Sequence, residues 1–155
     1  MTHPELIAKF YKCFAAHDPE GMVCCYHSEI EFYDPAFGLL KGDQVNNMWR
    51  MLIARSRGEL MISFSNIKAD SMNGSAEWKA EYFFSKTRRR IINVVSASFE
   101  FRDGKIIKHI DHFNMYKWTQ QALGWKGYLL GWTSFMQNKI KQQANGLLKE
   151  YSPKS

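Results

Sequence analysis

Residues 73–116 read NGSAEWKAEYFFSKTRRRIINVVSASFEFRDGKIIKHIDHFNMY, and this stretch decides the fold. Trp78, Ala80, Tyr82 and Phe84 alternate with Glu77, Lys79 and Glu81, the period of a strand with one face buried. Asn73-Gly74 in front of it and Asp103-Gly104 further on are dipeptides that close tight hairpins. Between them, Lys86 and Arg88-Arg89-Arg90 read as a solvated tip, followed by a strand over Ile91–Phe101. The last strand is expected over Lys105–Tyr116. Upstream, Leu60, Ile62 and Phe64 alternate with Met61, Ser63 and Ser65. Four consecutive strands joined by short hairpins make a meander sheet.

Working outward, the period changes. Leu6, Ile7, Phe10, Cys13 and Phe14 form the apolar stripe of a first helix. Asp18-Pro19 starts a second, short helix ending near Tyr26, with Asp18 as N-cap. Glu29 to Asp34 is a short strand, with Ile30, Phe32 and Asp34 on one face and Glu29, Glu31 and Tyr33 on the other. Residues 35–42 read as a loop, and Asp43 caps a third helix carrying Val45, Met48, Trp49, Leu52 and Ile53. Residues 117–151 are helical again, divided at Gly124-Trp125-Lys126-Gly127. In the long second piece, Leu129, Trp132, Met136, Ile140, Ala144, Leu147 and Tyr151 step by three or four along the face expected to pack. Helices followed by a meander give an α+β fold with the sheet packed on helices.

Composition excludes several classes. The chain has 155 residues, enough for one domain with a real core and too few for two comfortable ones. Apolar residues make up 45% and charged residues 23%, which excludes intrinsic disorder. Aromatics reach 15%, enough rings to demand a thick core, a ligand cavity or both. No apolar stretch approaches the roughly 18 residues of a membrane span, and the N-terminus has no secretory h-region. A net charge of +6 keeps nucleic acid under consideration, but the basic residues are not interleaved with aromatics along one element. Cys13, Cys24 and Cys25 show no metal-ligand spacing and read as reduced thiols. No Gly-rich phosphate loop or ligand-spaced His/Cys set calls for a metal or other cofactor. The expected location is cytoplasmic.

Two aspartates stand on apolar faces. Asp34 shares a face with Ile30 and Phe32, while Asp111 shares one with Ile107, His109, Phe113 and Met115 by alternation. A carboxylate among rings has its pKa raised by desolvation, which suits a general acid or base near neutrality. His109 stands two residues before Asp111 and either orients it or acts beside it. His112, on the other face, reads as structural. Candidate pocket walls are Phe32, Trp78, Tyr82, Phe99 and Phe113, with Asn93 as a further orienting group. The plain alternative is a buried carboxylate that ties down a loop or pairs with a neighbouring histidine.

The order of elements, Asp34-Pro35-Ala36-Phe37-Gly38 followed by Gly42, and Asp103-Gly104-Lys105-Ile106 leading into His109-Ile110-Asp111-His112-Phe113-Asn114 resemble the SnoaL-like branch of the NTF2-like superfamily. The resemblance covers roughly residues 3–120. It implies a single domain over 1–155 with a helical C-terminal extension at 117–155. It also implies a cone-shaped curved antiparallel sheet wrapped around helices and an apolar pocket. Members include ketosteroid isomerases, limonene epoxide hydrolases, polyketide cyclases, and non-catalytic ligand-binding or dimerisation modules. The Asp-Pro-x-x-Gly segment resembles the isomerase site at its base and places Asp34 as proton abstractor. The isomerase's oxyanion donors, a tyrosine and a protonated aspartate, fall at Phe10 and Ala97 here, and Tyr11, one residue off, is expected to face elsewhere. Asp111 matches the aspartate of the hydrolase-like Asp-aromatic-Phe-Asp motif, with Asn114 at the second acid. The hydrolases' Arg and Asp on the second long strand fall at Trp78 and Ala80. The resemblance therefore implies cofactor-independent Asp acid/base chemistry on a small hydrophobic carbonyl or epoxide. The alternative is a non-catalytic binding or dimerisation module, in either case a homodimer without nucleic acid as partner.

Overall fold

The computed structural model describes residues 1–152; the last three residues of the expected extension lie outside them. Helix α1 (His3–Ala15) opens on a capping box in which Thr2 and Glu5 bond each other's backbone. A short α2 (Pro19–Val23), capped by Asp18, leads into strand β1 (Tyr26–Asp34). Strand β2 (Gly38–Lys41) then folds back on β1 with Asp34 opposite Gly38. Residues 35–42 were expected to be loop; four residues at a sheet edge leave too little alternation to read. Helix α3 (Asp43–Ser56) follows, with Gly42 and not Asp43 at its N-cap. Asp43 stands in the first turn, where its charge complements the helix dipole.

The meander comprises β3 (Met61–Ala69), β4 (Asn73–Phe83), β5 (Arg90–Arg102) and β6 (Lys105–His112). Asn73-Gly74 opens β4 instead of making its turn. The turn is held by Asp70, whose Oδ1 accepts from the amides of Met72 at 2.8 Å and Asn73 at 2.7 Å. Asp103-Gly104 does make the β5–β6 turn, both residues at positive φ (53° and 73°). β6 ends at His112, short of Tyr116, because Asn114 caps the next helix by accepting from Lys117 N.

The six strands form one sheet in the order β2-β1-β6-β5-β4-β3. All neighbours are antiparallel except β1 and β6, which pair in parallel with Phe32 beside His109 and Tyr33 beside Ile110. Helices α1 and α3 pack on one face of this sheet. Tyr11 stacks on Phe64 of β3 with centroids 5.6 Å apart, and Trp49 of α3 meets Phe32 of β1 edge-on at 5.6 Å. Large buried rings of this kind remove about 150–250 Å² each from water and dominate the core's stability.

The tail forms α4 (Met115–Leu123), α5 (Trp125–Leu130) and α6 (Ser134–Tyr151). The expected long helix from residue 128 is broken between α5 and α6, and only part of its expected face packs: Ala144 and Leu147 lie against the core and Met136 and Ile140 are half-buried. Leu129, Trp132 and Tyr151 are exposed, while Lys141 and Asn145 turn inward over the β1–β2 turn. Leu148 joins Ala144 and Leu147 at the core. The arginine tip is exposed as expected, but it is also anchored: Thr87 Oγ1 donates to Ala122 O and Arg89 Nε to Gln121 O, both at 2.7 Å.

Candidate functional site

Asp111 and His109 alternate inward on β6, and both are buried, at 2% and 0% exposure. His109 Nε2 donates to Asp111 Oδ1 across 2.9 Å, and the Trp78 indole N–H donates to the same oxygen at 3.3 Å. On the other side of the imidazole, Nδ1 meets the Tyr26 hydroxyl at 2.8 Å. That hydroxyl in turn accepts from Trp49 Nε1, also at 2.8 Å. An indole nitrogen can only donate, so the Tyr26 hydrogen goes to Nδ1 and the imidazole hydrogen sits on Nε2, an assignment made from the network. The result is a one-way chain from Trp49 through Tyr26 and His109 to Asp111. Burial pushes the Tyr26 hydroxyl well above its ordinary pKa, so it holds its proton.

The rings around the chain fix it in place. His109 packs against Phe99 at 4.6 Å, Phe32 at 5.1 Å and Phe10 at 5.5 Å between centroids, and stacks on Trp49 at 6.1 Å. Ile107 does not share the face of His109. A register shift opposite Glu100 and Phe101 turns Ile106 into the core and leaves Ile107 half-buried on the outer face.

Tyr11 corrects the sequence reading. It is fully buried between Phe64, Trp78 and Phe99, and its hydroxyl has no hydrogen-bond partner among the described residues. Burial raises its pKa well above the ordinary value, and the nearby Asp111 charge raises it further. Tyr11 thus brings an uncommitted O–H donor to the neighbourhood of Asp111. Its place was legible: Ile7, Tyr11 and Phe14 are spaced by four and three, a second line along the same stripe.

Asp34 ends β1, two residues beyond Phe32, as Asp111 lies two beyond His109 on the strand alongside. The two carboxylates therefore face the same interior from adjacent parallel strands. Asp34 Oδ1 accepts from Phe37 N at 2.6 Å, which ties down the turn to Gly38. Its pKa is raised to about 7: burial is the main cause, the Phe37 amide opposes it, and the Asp111 charge adds to the rise. Lys141 of α6 lies over this turn and lowers it slightly. Asn145, one turn on, donates to Phe37 O at 2.9 Å.

The remaining candidates are placed as follows. Phe32, Trp78 and Phe99 are buried around the network. Tyr82 is half-buried near Asp34 and accepts from Trp118 Nε1 at 2.8 Å. Asn93 is half-buried on the inner face of β5, between Ile91 and Val95 in alternation and opposite Ala80. Phe113 packs against the edge of the core. Ala97, where the isomerase resemblance would need an acid, stands directly across from Asp111. Trp78, at the hydrolase arginine's place, supplies Asp111 with a neutral N–H instead. Sequence reasoning did not find Tyr26 or Trp49 as site residues, because their partners are 83 and 23 residues away.

A SnoaL-like domain matches residues 7–109, about two thirds of the chain. The chain belongs to the SnoaL-like family. Among solved structures, it is similar to a candidate polyketide cyclase from Xanthomonas campestris pv. campestris, with 16% identity and TM-score 0.61 over 76% of this chain and 93% of that one. It is also similar to an LEH-like epoxide hydrolase from M. tuberculosis, with 19% identity and TM-score 0.58 over 82% and 89% of the two chains. A protein from Catenulispora acidiphila with a ketosteroid isomerase-like fold aligns at 12% identity and TM-score 0.63, over 78% and 94%. At such identities the likeness is one of fold. No curated protein sequence matches the chain. In this SnoaL-like protein, as in the solved relatives it aligns with, helices pack on a curved sheet; its inner face carries the two aspartates.

Proposed function

We propose that this SnoaL-like protein is a cofactor-independent enzyme using Asp acid/base chemistry on a small hydrophobic carbonyl or epoxide compound. The observation that supports this best is the pairing of two unlike carboxylates on neighbouring strands. Asp111 is held on one oxygen by His109 and Trp78, while Asp34 has a pKa of about 7 and so exists in both forms near neutrality. Asp111 acts as the base that takes a proton from carbon or water. Asp34, in its protonated form, and the unpartnered Tyr11 hydroxyl donate to the oxygen where negative charge develops. Phe32, Trp78, Tyr82, Phe99 and Phe113 supply the apolar wall, and Asn93 a polar contact.

The test is turnover of a panel of cyclic ketones and epoxides by the wild type, Asp111→Asn and Asp34→Asn. Loss of turnover in both variants, with folding intact, supports the reading. Turnover that survives both substitutions sinks it.

A second reading has its own support. Phe32, Trp78 and Phe99 set apolar rings beside the two aspartates, which suits a non-catalytic module that binds an apolar ligand. Affinity for such a ligand that persists without either carboxylate favours this module over the enzyme. We further assign the homodimer contact to the outer face of the sheet, which exposes Tyr33, Leu39, Ile92 and Val94, and the cellular location to the cytoplasm. Sedimentation velocity of a Val94→Glu variant and fractionation test these two assignments.

A further inference from the structure

Helix α5 carries its apolar residues on the side away from the protein. Gly127 and Gly131, four residues apart, are the buried positions, and both lie against Thr119 of α4. A side chain at either would collide with the Thr119 backbone or hydroxyl. The small face therefore docks inward and the large face is forced out. Trp125 is 69% exposed, Tyr128 and Leu129 61% each, Trp132 66% and Phe135 77%. Solvent-exposed rings in one continuous segment mark an interaction surface.

Charge says what the surface meets. Between Asp111 and Glu150 the sequence has no acidic residue and five lysines, of which Lys126 stands on α5 itself while Lys141 turns toward the β1–β2 turn. Lys126 lies over the Trp125 ring at 5.9 Å. The β4–β5 tip adds to this rim, because Arg89 is anchored on Gln121 O and its guanidinium lies beside Gly124, where α5 begins. Lys86 reaches Gln143 of α6 at 3.2 Å. Of the other tip cations, Arg88 meets Glu59 at 3.5 Å and Arg90 meets Glu81 at 2.6 Å, both as exposed arginines. Pressing two copies together here would set cation against cation with no acid in either segment. A surface of anionic headgroups supplies the missing sign, and Trp and Tyr rings are suited to that interfacial depth.

We propose that α5 and the first turn of α6, rimmed by the arginine tip, dock this protein on an anionic lipid bilayer. The docking is peripheral: no helix among the described residues is long and apolar enough to cross. It is independent of the acid/base reading, since no residue of the rim belongs to the Asp111 network.

The test uses the full-length protein with extruded vesicles of phosphatidylcholine alone or with about one third phosphatidylserine. Co-sedimentation with the anionic vesicles, a blue shift of Trp emission, and weakening as salt is raised are expected. Trp132→Ser with Phe135→Ser, both exposed positions, is expected to lower partitioning roughly tenfold or more without changing the melting temperature. Lys126→Glu with Arg88→Glu is expected to abolish the preference for anionic over neutral vesicles. Absence of wild-type binding to anionic vesicles overturns the proposal, and so does equal binding to neutral ones. A wild type that is dimeric where the Trp132/Phe135 variant is monomeric, with no vesicle binding, assigns the surface to a second copy instead.

Discussion

His109 hands its one N–H to Asp111 across 2.9 Å, in a place where neither residue exceeds 2% exposure. The hydrogen is on Nε2 because Tyr26, itself fed by Trp49, occupies Nδ1. Histidine orientation is thus set two residues upstream of the carboxylate it serves, and one oxygen of that carboxylate, Oδ1, is engaged by both His109 and Trp78.

Substitutions of Asp111 separate geometry from charge. Asp111→Asn keeps an oxygen to accept from His109 and Trp78, so its stability should fall by about 1 kcal/mol or less. Asp111→Ala leaves two buried N–H donors without a partner and should cost about 2–4 kcal/mol. Urea denaturation of both variants checks this. Equal losses would show that the Asp111 charge itself holds the fold together.

Tyr26→Phe removes the hydroxyl between Trp49 and His109. It should cost about 1–3 kcal/mol, because an indole N–H and an imidazole nitrogen both lose their partner. In a double-mutant cycle with Trp49→Phe, the coupling should reach about 1 kcal/mol. Additive losses would mean that the two residues act only as rings.

Asp34 makes stability depend on pH with a definite sign. Its folded pKa of about 7 lies above the ordinary 3.8, so between those values the folded state binds more protons than the unfolded chain. Stability contributed by the protonated form is full below about pH 4 and is lost as pH rises toward 7, by a few kcal/mol in all. Asp34→Asn should flatten that part of the profile. Urea midpoints at several pH values, compared between the two proteins, decide it; parallel curves would place Asp34 in water.

Two glycines of the tail should respond in opposite directions. Gly131→Ala meets Thr119 and should destabilise by about 1–3 kcal/mol. Gly146 lies in α6 with nothing near its missing Cβ, so Gly146→Ala should stabilise by about 0.5–1 kcal/mol. Thermal melts of both variants read the two signs.

What the sequence made legible followed from alternation. Period two alone put Phe32 with Asp34, and His109 with Asp111, on buried faces, and the dipeptide at Asp103-Gly104 located a real turn. It could not show that β1 and β6 are neighbours, since nothing local specifies a parallel pair across the whole meander. Alternation also failed where the ladder is irregular, at Ile106 and Ile107. The Tyr26–Trp49 link was hidden because each residue looks like ordinary core in its own element. In the tail, helical stepping counted apolar residues as inward, when the small ones at 127 and 131 had the closer claim on the packed face.

The parallel β1–β6 pair also has a consequence in time. On the ribosome, β1 emerges early and can pair only with β2, leaving its other edge, beside Ile30 and Phe32, open. The chain must grow to β6 before Tyr26 meets His109, 83 residues on. At roughly 5–20 residues per second that is a wait of several seconds. The nascent protein thus passes through an interval in which an apolar strand edge is already made and its partner is not, and it is in that interval, more than in the finished fold, that it is vulnerable to pairing with the wrong strand.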